Sequence, residues 1–122
     1  MMDQIIVLHV EGEKCIQSLL RRQAALESLH ITILSANDIR AAIDFARKHN
    51  VIKVVVIDGR ESAHHEAIRL LKILLPRALF FGVSCDHDFK QALVRAGCTL
   101  LPDDKSEILQ QVLSALEQKS LP

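Results

Sequence analysis

The chain has 122 residues, of which 49% are hydrophobic and 25% are charged. This length and apolar content allow one domain to bury a core without disulfides or a structural metal. The 15 Lys and Arg residues equal the Asp and Glu residues in number, so the formal net charge is zero. No global field then attracts nucleic acid or an anionic membrane. We therefore predict a single domain over residues 1–122 that binds neither.

The cysteines and the amino-terminal residues indicate the cellular compartment in which the chain works. Cys15, Cys85 and Cys98 are odd in number and form no CxxC pair, which is typical of reduced thiols in the cytosol. The amino terminus lacks the basic start and the apolar stretch of a signal peptide, and no apolar run approaches the ~20 residues that span a bilayer. We expect free thiols and a cytoplasmic location.

The first half of the chain contains three predicted strands, each followed by a predicted helix. Residues 5–8 form a short apolar run typical of a buried strand, and residues 13–28 have apolar side chains at helical spacing. Residues 31–34 repeat the strand pattern, and Ser35 with Asp38 resembles a capping box that begins the second helix. Residues 51–57 are the most hydrophobic strand, and the helix after them has to end near Pro76 because proline lacks an N–H donor.

The second half continues the same alternation. Residues 79–83 predict a fourth strand, Asp86 a cap for the fourth helix, and Gly97 its end. Residues 98–101 predict a fifth strand, and Pro102 with Asp103 begins the last helix. Strict alternation requires right-handed crossovers into a parallel sheet covered on both faces. Five units predict a flavodoxin-like three-layer α/β sandwich with strand order 2-1-3-4-5.

In this strand order the carboxyl ends of strands 1, 3, 4 and 5 meet at one crevice, where open α/β sheets bind their ligands. Asp58 is the most informative residue there, because it places a carboxylate at the end of a strand that is otherwise buried on both faces. The residues predicted to line the crevice are His9, Val10, Glu11, Asp58, Gly59, Ser84, Cys85, Leu101, Pro102 and Lys105.

Three segments keep a distinctive order along the chain: VVVIDG around Asp58, Ser84 followed by Cys85, and AGC at 96–98. Together they resemble the receiver domain of bacterial two-component response regulators, over essentially the whole chain. The resemblance implies that Asp58 stands at the phosphoacceptor position. It also implies a signalling domain of a phosphorelay rather than an enzyme, with a sensor kinase, an output domain or a second copy of the chain as its partner.

The residues after strand 1 depart from the receiver pattern. Receivers hold Mg²⁺ there with two carboxylates, whereas the matching residues are His9 and Val10, and only Glu11 is a nearby acid. Mg²⁺ prefers oxygen ligands, so an imidazole and a valine make a poor site. We expect no cofactor, with Mg²⁺ held weakly by Glu11 and Asp58 only if the domain can be phosphorylated.

Strand 5 departs as well. Receivers have a Lys-Pro pair after this strand, whereas Leu101 precedes Pro102 here and the first lysine is Lys105. A missing fixed cation removes much of the electrostatic stabilisation that phosphoryl transfer needs. The aromatic switch residue of the family is absent too, because the chain has no tyrosine and strand 5 has no phenylalanine.

Several residues that could have a chemical function also have a purely structural explanation. Ser84 is interpreted as a helix cap, and His64 with His65 lacks the HExxH spacing of a zinc site. Cys15 lies near the start of the first helix, where a thiolate is stabilised, but too far along it for a phosphocysteine loop.

Three functions stay open. We favour an atypical receiver, or pseudo-receiver, that acts through protein contacts with poor or no Mg²⁺-dependent phosphorylation. The second is a regulator phosphorylated on Asp58, with Glu11 and Lys105 as substitute partners. The third is a small flavodoxin-like enzyme or ligand-binding domain that uses His9, Cys85 and Asp58. The resemblance places a homodimer or output surface on helix 4, strand 5 and helix 5, which would present Gln91, Arg95, Lys105, Gln110, Gln111 and Glu117.

Overall fold

Strands and helices alternate in the computed structural model, which describes residues 4–27, 30–49, 51–58, 65–84, 86–102 and 107–120. In chain order the elements are β1 (Ile5–Val10), α1 (Lys14–Glu27), β2 (Ile31–Ala36), α2 (Ile39–Lys48), β3 (Val54–Asp58), α3 (His65–Leu74), β4 (Leu79–Val83), α4 (His87–Arg95), β5 (Thr99–Leu100) and α5 (Ile108–Ser120). The strands pair in parallel in the order β2-β1-β3-β4-β5. The predicted flavodoxin-like topology is confirmed.

The sheet buries one core on each face, because successive side chains of a strand point to opposite sides. On one face Leu8 and Val55 pack with residues of α2, α3 and α4. On the other face Val7 and Val54 pack with residues of α1 and α5. β3 lies at the centre of the sheet, and all of its residues are buried. This two-sided burial explains why β3 is the most hydrophobic strand in the sequence.

The helix ends follow local chemistry. α3 ends at Leu74, shortly before Pro76, as predicted. The carboxylate of Asp86 caps α4 by accepting a hydrogen bond of 3.0 Å from the N–H of Phe89. The chain leaves α4 through Gly97, whose φ of 90° suits a residue without a Cβ. None of the helices within the described residues has the length and apolar character that a membrane span needs.

The start of α2 differs from the prediction. β2 continues to Ala36, so Ser35 is a strand residue that pairs with His9 and not part of a capping box. Asp38 alone caps α2, with its side chain accepting a hydrogen bond of 2.9 Å from the N–H of Ala41. The cause is the length of β1, which reaches Val10 and keeps β2 paired beyond its hydrophobic run.

Other strand limits also differ. β3 begins at Val54 and not at Val51. Val51 lies in a turn with 59% of its surface exposed, and Ile52 is buried although it belongs to the segment between α2 and β3. β5 is reduced to Thr99 and Leu100 at the edge of the sheet. Residues 103–106, where the last helix was predicted to begin, lie outside the described residues.

Candidate functional site

His9 of β1 and Asp58 of β3 lie side by side at the carboxyl edge of the sheet. His9 pairs with Val56, two residues before Asp58, and residues two apart on a strand share a face. Nε2 of His9 lies 3.6 Å from Oδ2 of Asp58, and both side chains are fully buried. The two central strands therefore hold an imidazole against the carboxylate that the sequence singled out.

Glu11 completes a cluster with this pair. Its backbone N–H donates a hydrogen bond of 2.9 Å to the carbonyl of Ala36, which extends the β1–β2 ladder past the end of β1. The Glu11 side chain is 4% exposed. One ligand atom from each of His9, Glu11 and Asp58 lies within 4.8 Å of the others. The cluster thus offers one nitrogen and two carboxylate oxygens to a common centre.

Gln17 of α1 secures the loop that follows β1. Its side-chain amide donates hydrogen bonds to the backbone carbonyl of Glu11 and, at 2.9 Å, to Oδ1 of Asn37. The N–H of Glu13 donates to Oε1 of Glu11 at 3.0 Å. Gln17 was not among the predicted site residues, although it stands three residues before Leu20 on the buried stripe of α1. A glutamine on an apolar stripe was the available signal.

Ser84 follows β4 at the same edge and is 7% exposed. Its Oγ accepts a hydrogen bond of 3.0 Å from the N–H of Asp86, so it orders the turn before α4. Asp86 is the cap, and the predicted capping role of Ser84 is wrong. Within the described residues, the buried polar side chains all stand at or beside this edge: His9, Glu11, Gln17, Asp58 and Ser84.

Three of the other predicted crevice residues, Val10, Leu101 and Pro102, do not join the cluster. Val10 packs in the core with Leu8 and Ile57, on the face of the sheet opposite to His9, because neighbouring residues of a strand point to opposite sides. Leu101 is half-buried against the core of the α1 and α5 face, and Pro102 is exposed. Gly59, Cys85 and Lys105 lie outside the described residues.

The cysteines that the structure describes stand apart from the cluster. Cys15 is exposed and Cys98 is buried, and both are free, as expected. Burial raises the pKa of the Cys98 thiol to about 11, and the positive charge of Lys72 opposes this only in part. Nζ of Lys72 donates to the carbonyl of Gly97 at 2.9 Å and lies over the ring of Phe80. Cys98 is therefore a poor nucleophile near neutral pH.

A groove opens on the surface between α4 and β5. It has a volume of about 380 Å³ and is lined by His87, Lys90, Gln91, Val94, Arg95 and Leu100. Val94 is 55% exposed and Leu100 is 36% exposed. Of the residues predicted for a contact surface, Gln91 and Arg95 line the groove, Gln110 and Glu117 are exposed on α5, Gln111 is half-buried, and Lys105 lies outside the described residues.

No protein-family model and no curated protein sequence matches the chain. Solved structures do match it over nearly its whole length. A LuxR family DNA-binding response regulator from Silicibacter pomeroyi has a TM-score of 0.74 and 19% identity, with 97% of each chain covered.

Two further matches are receiver domains by name. The signal receiver domain of an HD domain-containing protein from Pseudomonas fluorescens Pf-5 has a TM-score of 0.77 and 15% identity, covering 95% of this chain and 97% of that one. A response regulator receiver domain protein from Clostridium thermocellum has a TM-score of 0.73 and 16% identity, covering 94% and 96%. These three neighbours are response regulators or receiver domains by name, and this chain has their fold.

Proposed function

We propose that the chain is a receiver-like signalling domain that acts through protein contacts and does not carry out efficient Mg²⁺-dependent phosphotransfer. The observation that carries this proposal is the buried contact between His9 and Asp58. The fold supports a receiver-like role, and the contents of the cluster argue against the chemistry that such a role usually includes.

The donor set does not suit Mg²⁺. This ion demands near-octahedral oxygen coordination and gives up its water reluctantly, and an imidazole nitrogen is not a ligand that it prefers. His9 supplies such a nitrogen where the receiver pattern implies a carboxylate. An imidazole in place of a carboxylate also removes a negative charge, which weakens the attraction for the cation that would balance an incoming phosphoryl group. The cluster therefore favours neither Mg²⁺ binding nor phosphoryl transfer to Asp58.

Access to Asp58 supports the same conclusion. Its side chain has no exposed surface, and the His9 ring lies against Oδ2. In-line attack on a phosphodonor requires an oxygen that the donor can approach. Phosphorylation would thus require the edge of the sheet to open first. The alternative, a phosphorylated regulator, draws its support from the closeness of Glu11 to Asp58.

The groove between α4 and β5 supports a role in protein contact. It combines two exposed apolar side chains, Val94 and Leu100, with the cations Lys90 and Arg95 at its rim. β5 is also an edge strand, which leaves backbone groups on one side open to a partner. This surface suits a partner, or a second copy of the chain, that presents apolar residues beside carboxylates.

Amide NMR spectra test the phosphotransfer half of the proposal. Mg²⁺ followed by beryllofluoride, a phosphoryl mimic, should leave the spectrum of the wild-type chain unchanged around Asp58. His9→Asp is the matched variant, because it restores the missing carboxylate and should acquire a saturable Mg²⁺ response that Asp58→Ala removes. Saturable responses in the wild type, lost in Asp58→Ala, would establish the phosphorylated alternative instead.

Sedimentation of the purified chain tests the contact half. If the chain self-associates through the groove, Val94→Asp and Leu100→Asp should return it to a monomer. Ile73→Asp should not, although Ile73 is 74% exposed on α3. A dimer that survives both groove variants would contradict the assigned surface.

Thermal unfolding tests the ligand-binding alternative if the chain is a monomer. A small molecule that raises the unfolding temperature of the wild type, with the shift lost in His9→Ala, would favour that alternative.

A further inference from the structure

We propose that His9, Glu11 and Asp58 form a buried site for a divalent transition metal of the zinc type, with Nε2 of His9 and one oxygen of each carboxylate as ligands. The inference concerns the same cluster as the proposed function and rests on one part of it, that the donors do not suit Mg²⁺. It assigns the cluster a ligand of its own, where the proposed function leaves it without one.

The donor chemistry selects the metal. Zn²⁺ takes imidazole nitrogen and carboxylate oxygen together, and sites with three protein ligands keep a fourth position for water or another group. Affinity at mixed nitrogen and oxygen sites rises along the first-row series to copper and falls again at zinc, and imidazole suits both metals, whereas hard cations prefer sites made only of oxygen. One imidazole with two carboxylates is a ligand set of the zinc type.

The distances fit a single ion. Ligands bound to a tetrahedral Zn²⁺ at ~2.1 Å stand about 3.4 Å from one another. Nε2 of His9 and Oδ2 of Asp58 are already 3.6 Å apart. The ligand atoms of all three residues lie within 4.8 Å of each other, so the distances to Glu11 exceed the tetrahedral spacing by at most about 1.4 Å. His9 and Asp58 need almost no movement.

The supporting contacts hold these ligands in place. His9 is held by its pairing with Val56 in the β1–β3 ladder, and Asp58 by its pairing with Val83 in the β3–β4 ladder. Oε1 of Glu11 accepts a hydrogen bond from the N–H of Glu13, and Oε2 of Glu11 is then the oxygen that would bind the metal. Gln17 holds the backbone carbonyl of the same residue. Hydrogen bonds of this kind orient ligands and are a regular part of metal sites.

Burial distinguishes this cluster from exposed side chains that bind metal ions non-specifically. The exposed fractions of His9, Glu11 and Asp58 are 0%, 4% and 0%. Little water screens charges at this depth, so a dication is attracted to the two carboxylates more strongly than it would be at the surface. Exposed histidines such as His87 have no such setting, since the described residues contain one group with metal-ligand geometry.

The test uses the full chain, first freed of metal with a chelator. Competition with a chromophoric indicator should show one Zn²⁺ bound per chain and much weaker binding of Mg²⁺. His9→Asn, Glu11→Gln and Asp58→Asn should each lower the affinity for Zn²⁺ by more than about 100-fold, because loss of a supporting hydrogen bond alone costs 10–100-fold. Cys15→Ser and His87→Asn are the matched controls and should bind as the wild type does.

Cobalt provides a second measurement that needs no variant. Co²⁺ in the wild-type chain should give the intense visible bands of a four- or five-coordinate site and no thiolate charge-transfer band. A thiolate band, or Zn²⁺ affinity unchanged in His9→Asn, would overturn the site. If the chain binds neither Zn²⁺ nor Mg²⁺, this inference is wrong but the proposed function is not contradicted. Mg²⁺ binding as tight as that of Zn²⁺ would overturn the proposed function as well.

Discussion

The side-chain amide of Gln17 donates a hydrogen bond to the backbone carbonyl of Glu11, and this contact ties α1 to the segment that leaves β1. The same amide reaches Asn37 at the start of the β2–α2 connection. One buried side chain therefore joins the loops that follow two neighbouring strands. The position of Glu11 beside His9 and Asp58 depends on this junction as well as on the sheet.

Gln17→Leu should destabilise the fold by about 1–3 kcal/mol, because it leaves a buried carbonyl without its donor while keeping the size of the side chain. Urea unfolding followed by circular dichroism measures the change. Arg22→Ala, at an exposed position of the same helix, should stay within about 0.5 kcal/mol of the wild type. Equal effects of the two variants would mean that Gln17 has no special role.

Gly97→Ala should lower the free energy of unfolding by about 1–2 kcal/mol. The φ of 90° at this residue places an added Cβ against the following backbone, and the methyl group would also collide with the Lys72 ammonium group. Gly12→Ala is the matched control. Among the described residues, an added Cβ there meets only the carbonyl oxygen of Asn37 at an ordinary 3.4 Å, so chemical denaturation should show little or no loss of stability.

Gly82→Ala should cost about 1–3 kcal/mol by overpacking, since an added Cβ would stand 2.7 Å from Cδ1 of Leu93. Leu93→Ala makes room for the methyl group, so the double variant should lose less stability than the two single changes together, with a coupling of about 0.5–3 kcal/mol. A second cycle with Val94→Ala, which is exposed, should be additive. Additivity in both cycles would contradict the close approach of β4 and α4.

The stability of the chain should fall between pH 9 and pH 11 through Cys98. Burial raises the pKa of this thiol from 9.0 to about 11, so the unfolded chain loses the proton first and the folded state binds more protons in this interval. The loss amounts to at most about 2–3 kcal/mol. Urea unfolding across this range should show a flatter profile for Cys98→Ala, and identical slopes would show that the thiol does not contribute.

Thiol labelling examines the same residue near neutral pH. Cys15 is exposed, whereas Cys98 is buried with a raised pKa, so iodoacetamide should modify Cys15 much faster in the native chain. Mass spectrometry of peptides from timed samples gives both rates. The difference should vanish in urea, because unfolding exposes both thiols. A rate at Cys98 equal to that at Cys15 in the native chain would contradict its burial.

Much of the fold could be predicted because local patterns report it directly. The alternation of short apolar runs with amphipathic segments led to a parallel sheet in the observed order, and Asp86 and Gly97 marked the two ends of α4. The errors lay at strand ends. Ser35 was assigned to a helix cap and residues 51–53 to a strand, because hydrophobicity does not show how far a ladder of hydrogen bonds extends.

The sequence by itself determined which strands are buried and that Asp58 ends the central one, since strand order and burial follow from patterns a few residues long. The sequence also placed His9 and Glu11 at the same edge, but only the tertiary structure decided which of the predicted side chains lie against Asp58. Gln17, on the buried stripe of α1, contacts the segment that follows β1. Val10 points into the core on the opposite face of the sheet, because β1 extends two residues beyond its apolar run. The hydrogen bond from Glu11 to the neighbouring strand sets that length, and such a contact exists only between segments far apart in the chain.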